Sequence, residues 1–299
     1  MQKVLVIVGP TASGKSALAV ALAKKFNGEV VSADSRQVYR GLDIGTGKIT
    51  RREMRGVPHH LLDVASTTRK FSAGDFAERA RAAIQTISKR HKLPVIAGGT
   101  GFYIDALIGR ISLPEVKADP ALRVRLQKKT AAQLYVMLKQ RDPKRARAMR
   151  TPSERNNKVR LIRALEIATS KKVAAQQAPA YETLWLGIKP SQRELERRIR
   201  MRLTTRIRQG LIAEGRRLHA HGLSYKRMEE LGLEYRSLSR LLQNKLSKKA
   251  FEEELFRDIR RYAKKQLAYW KRNRGIRWYA PERKPRIMRH VAAWLKSAK

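Results

Sequence analysis

The 299-residue chain contains no cysteine. That excludes a disulfide framework, a cysteine-ligated zinc site and an iron–sulfur cluster, and it fits a reducing compartment. Histidine does not fill the gap. Six are present, and the closest pairs, His59 with His60 and His219 with His221, lack the i, i+4 spacing that puts two imidazoles on one helix face. No stretch approaches the ~20 apolar residues of a membrane span. The opening "MQKVLVIVGPTASGK" has an apolar run of five residues and meets a phosphate-loop pattern where a signal peptide would be cleaved. A cytoplasmic protein with no membrane partner is expected. Acidic residues are also scarce: 25 Asp and Glu stand against 67 Lys and Arg, a formal net charge of +42. Solubility needs far less, so a polyanionic partner such as nucleic acid is implied. The excess is uneven, because residues 1–110 carry 18 basic and 8 acidic side chains and the remainder carries 49 and 17.

Hydrophobic residues make up 42% of the chain, enough for a real core. "KVLVIVGP" is a short β-branched run that stops at Gly9–Pro10, and "SGKSALAVALAKKF" follows with Leu18, Leu22 and Phe26 at helical spacing. "GEVVSADS" predicts a second strand, "HLLDV" (60–64) a short third and "LPVIAGGTG" a fourth. "SAGDFAERARAAIQTISKRH" predicts a helix capped by Ser72. Strands alternating with helices imply a parallel sheet with its ligand site at the carboxyl ends of the strands. That rim would gather Gly9–Ser16, Asp34 and Gly98–Gly101. After Pro114 the texture changes to short basic helices, including one over "SERNNKVRLIRALEIATS" (153–170). "TLWLGIKP" returns to the strand pattern. Long helices are then expected over about 191–220, 224–243 and 247–274, followed by a strand at "IRWYAP" and a terminal helix. The predicted organisation is an α/β core over 1–114, a helical insertion over 115–183 and completion of the core over 184–299.

Gly9-x-x-x-x-Gly14-Lys15-Ser16 fits the Walker A pattern, in its required place between a strand and a helix. Backbone N–H groups of Gly9, Pro10, Thr11, Ala12, Ser13 and Gly14 (proline excepted) would wrap a phosphate at the helix amino terminus. Lys15 would add a point charge and Ser16 would ligate Mg²⁺. The pattern identifies a bound di- or triphosphate and leaves the reaction open. The strand at 93–97 ends in Gly98–Gly99 where a second metal motif would place Asp, which weakens routine ATP hydrolysis.

The words around the loop narrow the choice. "GPTASGKS", "VSADSRQVYRGLDIGTGK", "GVPHHLLDV", "FSAGDF" and "IAGGTGFYIDAL" occur in the order and spacing of the tRNA dimethylallyltransferase (IPP transferase) family, which the chain therefore resembles. The resemblance is dense over residues 1–108 and looser through "NNKVRLIRALEI", "RRIRMRL" and "RRYAKKQLAYWKRN". It implies a P-loop NTPase-like parallel sheet flanked by helices, with an inserted all-helical tRNA-binding domain. It also implies transfer of a dimethylallyl group from its diphosphate to N6 of the adenine 3′ of the anticodon, in tRNAs reading codons that begin with U. The phosphate loop would then hold a leaving group rather than necessarily ATP. The segment "ELGLEYRSL" departs from the more usual Gly-Tyr-containing word of the family.

The resemblance also assigns residues. Asp34 would accept the proton of the attacking amine, with a loop cap or a water-mediated Mg²⁺ ligand as its alternative roles. Asp34, Ser35, Arg36 and Gln37 would meet the tRNA, Thr100 would lie near the target nucleotide, and Arg123 with Val159, Arg160, Leu161, Ile162 and Arg163 would contact the anticodon stem-loop. The alternative for 159–163 is an amphipathic helix with Leu161 and Ile162 in a core. Arg216 in "AEGRRL" would help bind the diphosphate, with Arg217 as its alternative. His59–His60 reads as a structural pair. Tyr262, Tyr269, Trp270, Trp278 and Tyr279 read as core or as RNA-stacking aromatics. Dimethylallyl diphosphate, tRNA and Mg²⁺ are the implied partners of a monomer. A small-molecule kinase, a prenyltransferase acting on free adenine nucleotides and a noncatalytic RNA-binding NTPase are the competitors. The first two leave the basic insertion unexplained, and the third leaves "SADSRQVYRG" unexplained.

Overall fold

The computed structural model describes residues 1–111, 113–114, 116, 118–170 and 181–297. Six parallel strands form one sheet in the order β3-β2-β4-β1-β5-β6. They are β1 (Gln2–Val8), β2 (Gly28–Ser32), β3 (His59–His60), β4 (Leu93–Gly98), β5 (Tyr181–Ile188) and β6 (Arg277–Tyr279). The central β1 is buried from Val4 to Val8, which is why its sequence reads as a continuous apolar run and not as an alternation. Its residues still alternate by face. Leu5 and Ile7 pack in one core with Leu18 and Leu22 of the Lys15–Lys25 helix and with Ile287 and Val291 of the Lys284–Lys296 helix.

Register fixes the functional rim. Val8 lies opposite Gly98 and Gly187, and Ser32 lies opposite Ala97. The loops that leave β1, β2, β4 and β5 therefore start at one level. A second core, built on Leu195, Ile199, Leu203, Leu211, Met228, Leu231, Tyr235, Phe251, Leu255 and Ile259, joins the later helices to the loops around Val38 and Leu42.

Several expected elements shift. The third strand is His59–His60, because Leu61 (φ 65°) and Asp63 (φ 57°) leave the extended region. The expected helix over 153–170 is two, Pro152–Arg155 and Lys158–Thr169, with the Asn157 side chain capping the second by accepting from Arg160 N–H at 3.1 Å. The long helices break at Gly210 (φ 99°) and Gly232 (φ 73°), giving Gln192–Arg208 and Leu211–Ala220, then Tyr225–Leu231 and Leu233–Leu242. The helix Lys248–Trp270 runs unbroken.

Contacts divide the chain into one unit of Met1–Arg110 with Pro179–Lys299 and a second of Ile111–Ala178. The expected border at 183 fell inside β5, whose first residues Tyr181 and Glu182 pair with Gln2 and Lys3. The second unit is helical and closes its own core of Leu126, Leu134, Leu138, Leu161, Ile162 and Leu165. Among the described residues no helix is long and apolar enough to cross a membrane.

Candidate active site

The phosphate loop leaves β1 and enters the Lys15–Lys25 helix through Gly14, whose φ of 92° is a conformation that side-chain-bearing residues rarely adopt. The loop is braced from outside. Gln266, on the Lys248–Trp270 helix, accepts from Thr11 N–H (2.8 Å) and donates to the Gly99 carbonyl (3.1 Å), tying the ends of β1 and β4 together. Lys15 Nζ donates to the Pro10 carbonyl at 3.1 Å. Ser13 is fully buried and its Oγ has no hydrogen-bond partner.

Two recesses meet at this loop and share Lys15, Ser16, Gly47 and Arg202. One is also lined by Thr11, Asp34, Arg36, Gln37, Arg206, Glu234 and Tyr262. The other adds Ala12 and Gly14 of the loop, the apolar Val20, Ile49 and Met201, and the cations Arg55, Arg197, Arg198 and Lys284. Burial pushes Lys15 down to about 8; Asp34 opposes that shift and Arg202 reinforces it. Burial likewise lowers Arg202 to about 10, helped by neighbouring Arg206 and resisted by Glu234, Glu53 and Asp34. Two desolvated cations facing one recess are built to receive a multiply charged anion.

Asp34 follows β2. Its Oδ1 accepts from Arg36 N–H (2.8 Å) and Gln37 N–H (3.3 Å), an Asx turn that fixes the carboxylate. The loop-cap role is thus real, and it engages one oxygen of a side chain that still lines the recess. Thr100 Oγ1 accepts from Ser35 N–H (3.0 Å) and Thr100 N–H donates to Ala33 O (3.2 Å). Thr100 and Ser35 therefore join the ends of β4 and β2, while Arg36 and Gln37 face the recess. An Asp could not replace Gly98, since a Cβ there would lie 2.1 Å from Ala33 O. Ser16 and Asp34 put hard oxygen donors in the recess, which suits Mg²⁺ held mainly by substrate phosphate and water. Among the described residues no group of three or more His, Asp or Glu forms a metal cage.

Arg216 and Arg217 do not join this constellation. Both are exposed on the Leu211–Ala220 helix, and neither lines either recess. Arg202 and Arg206 stand there instead, and helical phase was the signal for them. Leu195, Ile199 and Leu203 form the buried stripe of the Gln192–Arg208 helix, and Arg198, Arg202 and Arg206 repeat at the same four-residue interval beside it. Arg198 closes the set by donating to Ser13 O at 3.3 Å.

The aromatic cluster divides. Tyr262 lines the recess, and burial with Asp34 nearby raises its pKa. Trp270 is core. Tyr269 donates to Asp105 at 2.6 Å beneath the Arg272 guanidinium, and Tyr279 contacts His290 at 2.9 Å on the far edge of the sheet. His60 Nε2 lies 2.7 Å from the buried Glu29 carboxylate, as a structural histidine should.

In the helical unit, Arg123 is bidentate on buried Glu166 (2.7 and 2.8 Å), with Arg163 beside it at 3.1 Å. Leu161 and Ile162 are core, so their expected RNA contact is replaced by packing. Val159 is 81% exposed, and Arg160 pairs with Glu154 at 2.5 Å on the surface.

Comparison with known proteins identifies the family of the chain. The IPP transferase family model matches residues 37–273. A tRNA dimethylallyltransferase of Leuconostoc citreum is 40% identical over 299 residues, covering 99% of this chain and 100% of its own. The tRNA dimethylallyltransferase 2 of Treponema denticola is 40% identical, over 90% of this chain and 91% of its own. Among solved structures, the tRNA isopentenylpyrophosphate transferase of Bacillus halodurans is similar with a TM-score of 0.75 and 34% identity, over 99% of this chain and 97% of that one. A eukaryotic dimethylallyltransferase acting on tRNA gives a TM-score of 0.81 at 26% identity, over 94% and 74%. The chain belongs to the IPP transferase family.

Proposed function

We propose that this IPP transferase is a tRNA dimethylallyltransferase, which alkylates N6 of the adenine 3′ of the anticodon in tRNAs reading codons that begin with U. One observation carries the proposal: a single recess presents Lys15, Ser16 and Arg202 together with the Asp34 carboxylate. The first three bind an allylic diphosphate, and the fourth accepts a proton.

The chemistry follows from the charges. As the C1–O bond of the donor breaks, its electron pair leaves with the diphosphate, and Lys15, Arg202 and the loop N–H groups stabilise that charge. N6 forms the new bond to C1, and its proton passes to Asp34. Mg²⁺, when bound, neutralises diphosphate charge, with Ser16 as its protein ligand. The adenine must leave its stack to enter the recess; Arg36, Gln37 and Tyr262 line the walls that receive it.

The test is to incubate the protein and Mg²⁺ with dimethylallyl diphosphate and an unmodified anticodon stem-loop carrying adenines 3′ of the anticodon, then weigh the RNA. One added C5H8 unit is expected. Asp34→Asn is expected to lower turnover by roughly 10²–10⁴-fold with RNA binding retained. RNA that binds without gaining mass, while free adenosine monophosphate becomes prenylated, would move the acceptor assignment to nucleotides.

A further inference from the structure

The Asp43–Gly47 loop walls both recesses through Gly47, yet its own backbone hydrogen-bonding groups are turned toward buried side chains. Glu214, 1% exposed, accepts at Oε2 from Asp43 N–H (3.0 Å) and Ile44 N–H (2.7 Å). At Oε1 it accepts from Gly45 N–H (2.9 Å) and from the Tyr235 hydroxyl (2.9 Å). Three successive backbone donors thus converge on one internal carboxylate, the arrangement by which loops elsewhere hold external anions. On the other side, Arg206 Nη1 donates to the Gly45 carbonyl (2.7 Å) and to Glu234 (2.8 Å). Gln37 donates to the Gly47 carbonyl at 3.3 Å.

The two glycines show how tightly the loop is fitted. A Cβ on Gly45 would lie 2.6 Å from the Tyr235 hydroxyl, and one on Gly47 would lie 2.7 Å from Arg202 Nη2 and 3.4 Å from Arg206 Nε. The loop backbone is therefore the surface against which the Arg202 guanidinium rests. The word "ELGLEYRSL", which departs from the family pattern, supplies both Glu234 and Tyr235 to this assembly. "AEGRRL", the segment of Arg216 and Arg217, contributes Glu214.

We infer that Glu214 is a positioning residue: by fixing the Asp43–Gly47 backbone it holds Arg202 in place to bind the donor's diphosphate. This inference rests on the proposed function, in which that recess receives a diphosphate. Glutamine at 214 retains the shape but carries one acceptor oxygen and an N–H₂ group. Either Asp43 and Ile44 or Gly45 then faces a donor, and the loop shifts under Arg202.

The probe is inorganic diphosphate with Mg²⁺, titrated calorimetrically into the full chain, alongside steady-state kinetics in both substrates. Glu214→Gln is expected to weaken diphosphate binding and raise KM for dimethylallyl diphosphate by about tenfold, the effect of loosening one charged hydrogen bond. KM for the RNA should change by less than about twofold. Gly47→Ala, which displaces Arg202 directly, should reproduce the loss. The double variant should fall well short of the product of the two, because both act on one contact. Tyr235→Phe, which removes one donor to the same carboxylate, should show a smaller loss of the same kind. A folded Glu214→Gln with unchanged diphosphate affinity overturns the inference, as does a lowered Tm with KM for the donor intact. Should Glu214→Gln fail to fold, unchanged diphosphate affinity in Gly47→Ala and Tyr235→Phe overturns it equally. Wild-type protein that ignores diphosphate sinks the proposed function along with the clamp, whereas a wild type that binds and a Glu214→Gln that binds equally well sinks the clamp alone.

Discussion

Two arginine arrangements, one from each unit of the chain, work in opposite ways. In the helical unit Arg123 and Arg163 converge on Glu166, whose side chain is 1% exposed, and Arg145 bonds the Asp142 that caps its helix. In the α/β unit Arg202 lines a recess beside Lys15, with Arg206 and its partner Glu234 as the wall. The first arrangement spends its cations on internal carboxylates. The second leaves a positive charge facing a space that a ligand can fill. A chain with 67 basic residues and 25 acidic ones cannot neutralise most of its cations internally, so composition implies a polyanion without saying which arginine meets it. Whether the arginine holds a buried carboxylate makes that distinction.

The sharpest way to break this contrast is to truncate one arginine in each unit. Arg202→Ala is expected to lower kcat/KM for the donor by roughly 10²–10³-fold, as removal of a charge stabiliser at a departing anion does, with little change in Tm. Arg123→Ala should do the reverse. Burial alone would raise the pKa of Glu166, but hydrogen bonds from Arg123, the Asp119 N–H and Arg163 outweigh it and hold the carboxyl below its usual range. Removing Arg123 strips two of those bonds from a buried charge, at a cost of about 1–3 kcal/mol. Amide hydrogen exchange at Leu161 and Leu165 would accelerate, while donor kinetics in the full chain stay within about twofold. If Arg123→Ala instead spared exchange and abolished RNA binding, the division between structural and ligand-facing arginines would be wrong.

A smaller effect separates the units by pH. Lys15 has its folded-state pKa lowered from 10.5 to about 8. A lowered lysine pKa means that holding the ammonium in the recess works against the fold below about pH 8, and that this cost is relieved as pH rises toward 10.5. Diphosphate reverses the preference, since it stabilises the charged form. Donor affinity is expected to fall as pH climbs past about 8, and binding should take up about half a proton at pH 8 and close to one at pH 9, read by calorimetry in buffers of different ionisation enthalpy. Lys15→Arg should flatten that step, because a guanidinium stays charged.

Much of this was legible in the sequence because the signals were local. Strand, phosphate loop and helix follow one another within residues 2–25, and the Ser72 capping box with Asp75 is written three residues apart. The breaks at Gly210 and Gly232 were equally local and were missed, since apolar spacing continues across them. The position of Arg216, exposed and outside both recesses, is a case of another kind. Which arginine of the basic helices turns toward the phosphate loop depends on the phase of a helix packed from 185 residues away, and only the stripe of Leu195, Ile199 and Leu203 records it. Asp34, which lines the recess, is marked in the sequence by its neighbours. Glu234, Tyr262 and Gln266 reach the same recess from elements whose placement no short word encodes.

Arg160 is the case that tests the contrast most finely. It lies in the helical unit and has a partner, Glu154 at 2.5 Å, but its side chain is 53% exposed. An exposed pair is worth about 0–1 kcal/mol, so exchanging that carboxylate for an RNA phosphate costs little, whereas Arg123 could make the same exchange only by abandoning a buried charge. Arg160→Ala is therefore expected to leave Tm unchanged and to weaken stem-loop binding a few-fold. It should also flatten the slope of log affinity against log salt by about 0.7–0.9, the signature of one lost phosphate contact. Fluorescence anisotropy from 50 to 200 mM salt, a span over which such slopes are usually read, would show it. An unaltered slope would leave Arg160 to Glu154, and exposure alone would no longer separate ligand-facing arginines from structural ones.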